Sequence, residues 1–284
     1  LFFANGSFDT RSRGNIIELG KKYCKLKINY INDIITTNLL KTQLSFTELI
    51  NSYQNLSTPI NSNKQNLNKI INDDFLKCVL ELNETINENY TENIACWLLD
   101  LKTNLSNLKD NSTEKNQLIV ISNMMQNIYS TFHSHNSFSK SFFFYFESTE
   151  LFIIYPLKYY LKNGFVSQMK NYEEYNPVWC TDENGEKHKI YKMKCRNFFV
   201  NIKKANDSVF DNNFNNNNNK TIFITEFYVQ AGEEKNIAFS ICIEFNDPLS
   251  NKSAYICSDI LIDSLNYNFD NYNRQLNWYF FINS

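Results

Sequence analysis

Glycine and proline are scarce in this chain, which has 284 residues but only 6 glycines and 4 prolines. Their scarcity argues against collagen-like, linker-type and many-hairpin architectures. No stretch of about 18 apolar residues occurs, so the sequence predicts no membrane-spanning helix. The 28 basic and 30 acidic side chains leave a formal charge of -2. A chain so close to neutral has no general attraction for nucleic acid or for an anionic membrane.

The sequence also lacks the common signatures of enzymes. It contains no glycine-rich phosphate loop, no H-E-x-x-H motif, no G-x-S-x-G motif and no dinucleotide-binding fingerprint. His133 and His135 could bind a metal from one face of a strand, but a solvated helix end is the commoner setting for such a pair. We therefore expect a protein that is not an enzyme and that uses no metal or cofactor.

Hydrophobic residues make up 43% of the chain and aromatic residues 15%, which is enough to build one or two packed cores. Asparagine is unusually common, with 46 residues that include the run from Asn215 to Asn219. We interpret this excess as codon bias in an AT-rich genome. Because side-chain amides cannot all find partners inside a core, the asparagine-rich segments are expected in solvated loops.

The seven cysteines indicate a cellular compartment. Six of them fall into pairs that would close loops of about 15 to 20 residues, each worth about 3 kcal/mol in the chain-entropy account of disulfides. The candidate pairs are Cys78 with Cys96, Cys180 with Cys195, and Cys242 with Cys257, and Cys24 has no predicted partner. We predict an extracellular protein with disulfides. The alternative is a cytosolic protein with seven buried thiols.

Sequons for N-glycosylation favour the same compartment, because the modification is typical of secreted proteins. Nine sequons occur, which is a mild excess over chance in so asparagine-rich a chain. The candidate acceptors are Asn5, Asn55, Asn83, Asn89, Asn104, Asn111, Asn206, Asn219 and Asn251. These sites permit a secreted protein without establishing one.

The first part of the chain carries apolar residues at three- and four-residue spacings. Over positions 14–56 this pattern predicts one long amphipathic helix or two helices in line. Further helices are predicted over 67–82 and 92–108, where the Cys78–Cys96 pair would join them as a helical hairpin. Ser112 and its neighbours predict the N-terminal cap of a fourth helix.

From about Ser141 the pattern changes to aromatic and β-branched runs of strand length. Five strands are predicted, over 141–146, 151–155, 222–229, 236–245 and 254–262. A hairpin across Cys180 and Cys195 and a helix over 197–205 would lie in the long connection between the second and third strands. The expected fold is α+β, with long N-terminal helices before a PAS-like five-stranded antiparallel sheet.

We divide the chain into three parts on this basis. Residues 1–113 form a helical region with the long amphipathic helix and the disulfide-linked helical hairpin. Residues 114–265 form the domain with the PAS-like sheet. Residues 266–284, with the aromatic run Trp278–Ile282, predict the start of a second and truncated subdomain.

An ordered set of short motifs lies between residues 195 and 265. The motifs are Cys195-Arg196-Asn197-Phe198-Phe199 continuing to Lys204-Ala205, Ile224-Thr225-Glu226-Phe227-Tyr228, the strand from Asn236 to Glu244, and the strand from Ala254 to Leu265. In this order they resemble the double-Cache family of extracellular sensor domains, whose pattern opens with Arg-Pro-Trp-Tyr. The resemblance covers residues 114–284 and implies a membrane-distal Cache subdomain.

The resemblance also implies a ligand site. In amino-acid-binding members of the family, the motif arginine holds the ligand carboxylate, an aspartate on the last strand holds the ammonium group, and aromatic rings enclose the ligand. By position, these residues are Arg196, Asp259, Phe198, Phe199, Tyr228 and Tyr155. A guanidinium group can bind a carboxylate, a carboxylate can bind an ammonium group, and aromatic faces can shield both from water. Alternatively, Arg196 and Asp259 could form a structural ion pair, and the rings could be ordinary core residues.

The sequence therefore predicts an extracellular sensory domain of a membrane-anchored receptor or channel-associated protein that binds a small amino acid or amine. The membrane anchor would lie outside this segment, and protein partners could bind the N-terminal helices. The alternative is a structural or assembly module without a small ligand, as in the alpha-2/delta auxiliary subunits of calcium channels. A third possibility is a cytosolic helical scaffold, which free thiols would support.

Overall fold

The computed structural model describes most of the chain as two compact units, residues 1–44 and residues 45–284. The described residues are 10–61, 71–82, 84–88, 90, 96–100, 105–135, 139–162, 164–170, 179–181, 187–189, 199–200, 202, 222–230 and 236–262. Helix α1 spans Thr10–Asn61, so it supplies the described part of the first unit and continues into the second. It covers the segment in which the sequence predicts one long helix or two.

The other helices are short. They are α2 (Asp73–Lys77), α3 (Thr113–Asn123), α4 (Met125–His135), α5 (Leu157–Lys162) and α6 (Phe165–Lys170), with a 3-10 turn at Leu105–Asn107. The predicted cap before α3 is confirmed, because the Ser112 hydroxyl accepts a hydrogen bond from the Lys115 N–H over 3.2 Å. Within the part of the chain that is described, no helix has the length and apolarity needed to cross a membrane.

Ten strands are described. In chain order they are β1 (Val79–Glu81), β2 (Trp97–Asp100), β3 (Ser139–Phe146), β4 (Leu151–Tyr155), β5 (Trp179–Thr181), β6 (Lys187–Lys189), β7 (Ile222–Ile224), β8 (Tyr228–Val229), β9 (Ile237–Asp247) and β10 (Lys252–Leu261). Eight of them form one mixed sheet in the order β1-β2-β4-β3-β10-β9-β7, with β8 also paired to β9. Strands β1 and β2 are parallel and the other pairs are antiparallel. Strands β5 and β6 form a separate antiparallel pair.

The sheet is buried on both sides because alternate side chains of its strands enter two different cores. In β3, Phe142, Phe144 and Phe146 face a core shared with α3 and α4, which we call the α3 face. Phe143 and Tyr145 face the opposite core, shared with α5 and α6, which we call the α5 face. Burial on both sides explains why the strand is almost continuously aromatic.

The second half of α1 belongs to the α3 face. Phe46, Leu49, Ile50 and Tyr53 are all buried there, at the three- and four-residue spacing of one helical stripe. The Tyr53 ring lies against Phe146, with ring centroids 5.5 Å apart. This part of α1 is therefore held by the sheet.

Two helix predictions for the N-terminal part are wrong in the described residues. Val79–Glu81 and Trp97–Asp100 are strands β1 and β2, although the sequence predicts helices over 67–82 and 92–108. Both segments are short apolar runs, in which periodicity cannot distinguish a buried strand from a buried helix. These segments are strands because β1 pairs with β2 and β2 also pairs with β4. The partners in each pair are distant in sequence.

The strand predictions for the second half are confirmed in large part. Strands β3, β4, β9 and β10 occupy the predicted positions within two residues at either end. The predicted strand over 222–229 is divided into β7 and β8, which both pair with β9. The structure thus has a mixed fold of helices and one large sheet. The asparagine-rich segment 206–220 and the tail 278–282 lie outside the described residues.

Two of the three predicted disulfides are confirmed. Cys78 and Cys96 are bonded, with Cα atoms 4.7 Å apart, at the points where the parallel strands β1 and β2 begin. Cys242 and Cys257 are bonded and are direct cross-strand partners in β9 and β10, with Cα atoms 4.1 Å apart. Two disulfides are compatible with an oxidising, extracellular environment. Cys195, like the side chain of Cys24, lies outside the described residues.

Candidate functional site

The candidate site is built around Asp259, near the end of β10. This aspartate is on the α5 face and only 5% exposed. Its direct neighbours in the sheet are Ser240 in β9 and Ser141 in β3. The two serines are small, so a polar strip crosses three strands without large side chains beside the carboxylate.

Three side chains donate hydrogen bonds to the Asp259 carboxylate. Its Oδ1 accepts from the Tyr228 hydroxyl and from the Ser240 hydroxyl, each over 2.8 Å, and its Oδ2 accepts from Gln230 Nε2 over 3.0 Å. The Tyr159 hydroxyl of α5 donates to Gln230 Oε1 over 2.7 Å. We call these five residues the Asp259 cluster. The other four members of this cluster are uncharged, and their hydrogen bonds orient the carboxylate.

The hydroxyl groups of Tyr228 and Ser240 cannot make all of their possible hydrogen bonds at once. The Tyr228 and Ser240 oxygens lie only 2.6 Å apart, so a hydrogen bond can also join them. Two hydroxyl protons cannot fill three oxygen–oxygen contacts at the same time. One acceptor position on Asp259 Oδ1 is therefore released whenever the two hydroxyls bond to each other.

Local backbone structure positions the donors. The N–H of Thr225 donates to the Ser240 carbonyl over 3.0 Å, and the Ser240 N–H donates to the Thr225 hydroxyl over 2.9 Å. The Gln230 N–H donates to the Asn236 carbonyl over 2.8 Å. These contacts hold Thr225 and Gln230, which lie before and after β8, against β9 and the residue that precedes it. Tyr228 and Gln230 are two residues apart in an extended segment, so both point to the α5 face.

The Tyr228 hydroxyl is held as a donor by its surroundings. Burial raises the pKa of Tyr228 well above its ordinary value, and the neighbouring negative charge of Asp259 raises it further. The phenol therefore keeps its proton at physiological pH. It can therefore donate a hydrogen bond to the carboxylate at neutral pH.

Helix α5 covers the polar strip with two tyrosines. Tyr159 reaches Gln230, and the buried Tyr160 donates to the Ser141 hydroxyl over 2.7 Å. Their rings contact each other edge-on, with centroids 5.2 Å apart. The strip thus combines one carboxylate with several hydroxyl groups and aromatic rings, which are the groups that bind small cations in proteins.

The structure brings together some of the predicted site residues. Tyr228 contacts Asp259 directly. Phe199 is buried on the same face, with its ring against Tyr145 at 4.7 Å between centroids. Arg196 and Phe198 lie outside the described residues.

Tyr155 is not brought to Asp259. It lies on the α3 face, where its ring is 4.8 Å from that of Trp97. Burial raises the pKa of its hydroxyl, which lies 3.4 Å from Nε2 of the exposed His133. Alternation along β4 sends Tyr155 to the face opposite Asp259, and position in a motif does not show this.

Three members of the cluster were not identified from sequence. Gln230 and Tyr159 lie in segments without any motif. Ser240 could have been identified from the sequence, because it is a polar residue inside the apolar run from Ile237 to Ile243. A buried serine in a strand that is otherwise apolar indicates a polar partner across the sheet.

A second buried aspartate, Asp247, has a different setting. It lies at the end of β9 on the α3 face, and its Oδ1 accepts from the Tyr53 hydroxyl over 3.0 Å. Its Oδ2 accepts from Gln117 Nε2 over 2.8 Å and from the Ser250 hydroxyl over 2.6 Å. Its donors thus come from α1, α3 and the β9–β10 turn, which assigns Asp247 to the framework of the domain.

The described residues contain no group of three or more histidine, cysteine or acidic side chains arranged to hold a metal ion. The oriented carboxylate of Asp259 has the chemistry to bind a cationic group. No protein-family model, no curated protein and no solved structure matches this chain.

Proposed function

We propose that this chain is an extracellular sensory domain of the Cache type, and that it binds a small amino acid or amine through Asp259. The observation that carries the proposal is the Asp259 cluster. Burying a carboxylate costs several kcal/mol unless hydrogen bonds and a positive charge compensate it. Tyr228, Ser240 and Gln230 donate hydrogen bonds to Asp259, and the ammonium group of a ligand would add a favourable charge contact to the same carboxylate.

The strand order supports the Cache assignment. Five strands, β4-β3-β10-β9-β7, form a continuous antiparallel sheet, and a long connection joins β4 to β7. Such a sheet with such a crossover is what the resemblance implies for a PAS-like domain. Strands β1 and β2 extend this sheet beyond β4.

The ligand would lie on the α5 face, with its ammonium group at Asp259. Arg196 is proposed to hold a ligand carboxylate, and Tyr228 and Tyr159 to lie beside the ammonium group. Phe199 would pack below the site rather than touch the ligand, because its ring is buried against Tyr145 and Tyr255.

An extracellular location is part of the same proposal. The Cys78–Cys96 and Cys242–Cys257 disulfides support it. Three of the candidate glycosylation sites, Asn55, Asn111 and Asn251, are exposed in the structure. Exposure is required for a folded protein to carry a glycan at these positions.

A thermal-shift screen tests the ligand. The chain is heated with each of the twenty amino acids and with primary amines such as putrescine and ethanolamine. A ligand at about 100 times its dissociation constant stabilises the folded state by about 2.7 kcal/mol. We expect at least one compound to raise the melting temperature of the wild type.

Two variants show where the compound binds. Asp259→Asn keeps the size of the side chain but removes its charge, so it should abolish the shift. Asp247→Asn makes the same change in a buried aspartate on the other face, so it should keep the shift. A shift that persists in Asp259→Asn, or the absence of any shift in the wild type, would overturn the proposal.

The second candidate function is a docking module without a small ligand. One observation favours it: four leucines of α1 in the first unit are more than half exposed, namely Leu19, Leu26, Leu40 and Leu44. Large exposed aliphatic groups on one helix are typical of a protein-binding surface.

A further inference from the structure

The exposed leucines of α1 lie on one row of the helix. Leu19, Leu26 and Leu40 are 67%, 62% and 55% exposed, and they are separated by seven and fourteen residues. Leu44, at 67%, lies one turn beyond Leu40. At about 100° per residue, all four project within an arc of about 60°. The seven-residue repeat is the spacing at which two helices pair along a seam.

Charged residues interrupt this row at particular places. Asp33 occupies the heptad position between Leu26 and Leu40, and it is exposed. Lys22 lies one turn after Leu19 and one turn before Leu26, and it is also exposed. The row therefore carries one negative and one positive group among its leucines.

We propose that this row is a self-association surface, on which α1 pairs antiparallel with α1 of a second copy of the chain. The heptad positions 19, 26, 33 and 40 are symmetric about a point between residues 29 and 30. Antiparallel pairing about that point sets Leu19 against Leu40 of the second copy. It also sets Asp33 against Leu26 of the second copy, within reach of Lys22 of that copy.

Charge complementarity favours a second copy of the chain as the partner, and it favours antiparallel over parallel pairing of the two helices. A parallel pair in the same register would oppose Asp33 to its own copy, and like charges at a seam are strongly unfavourable. The antiparallel pair instead makes two symmetric contacts between Asp33 and Lys22. A single sequence thus contains both halves of the complementary surface, as an isologous interface requires. This inference does not depend on the ligand site at Asp259.

Sedimentation equilibrium of the whole chain measures the association. We expect a monomer–dimer equilibrium in the wild type and a shift to monomer in the double variant Leu19→Ser, Leu26→Ser. The matched control is Leu76→Ser, which changes an exposed leucine of α2 in the other unit and should leave the equilibrium unchanged. Circular dichroism confirms that each variant keeps its helices. A wild type that stays monomeric at every concentration would overturn the proposal, as would a dimer that the leucine variant does not weaken.

A charge exchange tests the Asp33–Lys22 contact. Lys22→Asp and Asp33→Lys should each weaken the dimer at least tenfold, because each sets two like charges together. The double variant exchanges the two charges and should restore the wild-type constant to within about threefold. Equal weakening in the single and double variants would contradict the contact.

Disulfide cross-linking tests the direction. In a Cys24→Ser background, Asn29→Cys should form a covalent dimer on mild oxidation, because residue 29 lies near the two-fold point. Leu19→Cys should not, because in an antiparallel pair residue 19 is far from its own copy. A covalent dimer of Leu19→Cys would show a parallel pair and overturn the proposal.

Discussion

Asp247 and Asp259 are buried on opposite faces of one sheet, one at the end of β9 and the other near the end of β10. Asp247 binds donors from three parts of the framework, Tyr53, Gln117 and Ser250. Asp259 accepts hydrogen bonds from Tyr228 in β8, from Gln230 just after β8 and from Ser240 in β9. The pair provides a natural comparison, because one aspartate joins distant segments and the other lies on the face where a ligand is proposed.

Removal of the Asp247 side chain should destabilise the domain. Asp247→Ala removes the acceptor of the Tyr53 hydroxyl and one of the acceptors of Gln117 Nε2, which should lower the free energy of unfolding by about 3 kcal/mol. Asp247→Asn keeps one acceptor oxygen and should cost less. Urea denaturation monitored by circular dichroism measures both. An Asp247→Ala variant as stable as the wild type would show that this contact does not hold the domain together.

Four tyrosines should resist ionisation at alkaline pH. Burial raises the pKa values of Tyr53, Tyr155, Tyr228 and Tyr255, with nearby carboxylates adding to the effect at all but Tyr155. A raised folded-state pKa contributes stability that is present below the unfolded value and lost as pH rises above it. Spectrophotometric titration should show a group of phenols that ionise only as the protein unfolds. Independent titration of all 17 tyrosines near pH 10 in the folded protein would contradict this.

The acidic side chain of Glu81 should cost stability at neutral pH. Burial raises the pKa of Glu81, as does the negative charge of Glu84, while the hydrogen bond from the Leu105 N–H lowers it. The stability linked to a raised pKa is fully present in acid and is lost as pH rises. Glu81→Gln keeps an acceptor for Leu105, so it should raise the melting temperature more at pH 7 than at pH 4. Glu48→Gln, the same substitution at an exposed position of α1, is the control for the removal of one negative charge.

The Cys78–Cys96 disulfide should stabilise the edge of the sheet. It closes a loop with a sequence separation of 18 residues, so its removal should cost about 3 kcal/mol. The double variant Cys78→Ser, Cys96→Ser should lose hydrogen-exchange protection first in β1 and β2, because these strands begin at the bond. Loss of protection spread evenly over β3, β9 and β10 would contradict this local effect.

Strong local patterns made much of the second half of the fold predictable. The aromatic run of β3 and the apolar runs of β9 and β10 are long enough for their type to be clear. The cap at Ser112 depends on the next few residues alone, and it was also predictable. The cysteine spacings predicted both disulfides that lie in the described part of the chain.

The remaining features depend on contacts that are distant in sequence. Strands β1 and β2 hold only three and four residues. Neither the parallel pairing of β1 with β2 nor the antiparallel pairing of β2 with β4 can be seen in periodicity. At the candidate site, the motif order grouped Asp259 with Tyr228, and the two side chains are in contact. It placed Tyr155 beside the ligand because motif order does not record the face of a strand. Tyr159 and Gln230 come from segments that only the fold brings together.

Ligand-observed NMR with a mixture of the twenty amino acids and primary amines tests the central claim most directly. The mixture is measured with the wild type, with Asp259→Asn and with Asp247→Asn at the same protein concentration. The account predicts that at least one compound shows saturation transfer from the wild type and from Asp247→Asn, and none from Asp259→Asn. A ligand site at Asp259 would be contradicted if the wild type transferred saturation to none of the compounds. It would also be contradicted if all three proteins transferred saturation to the same compound.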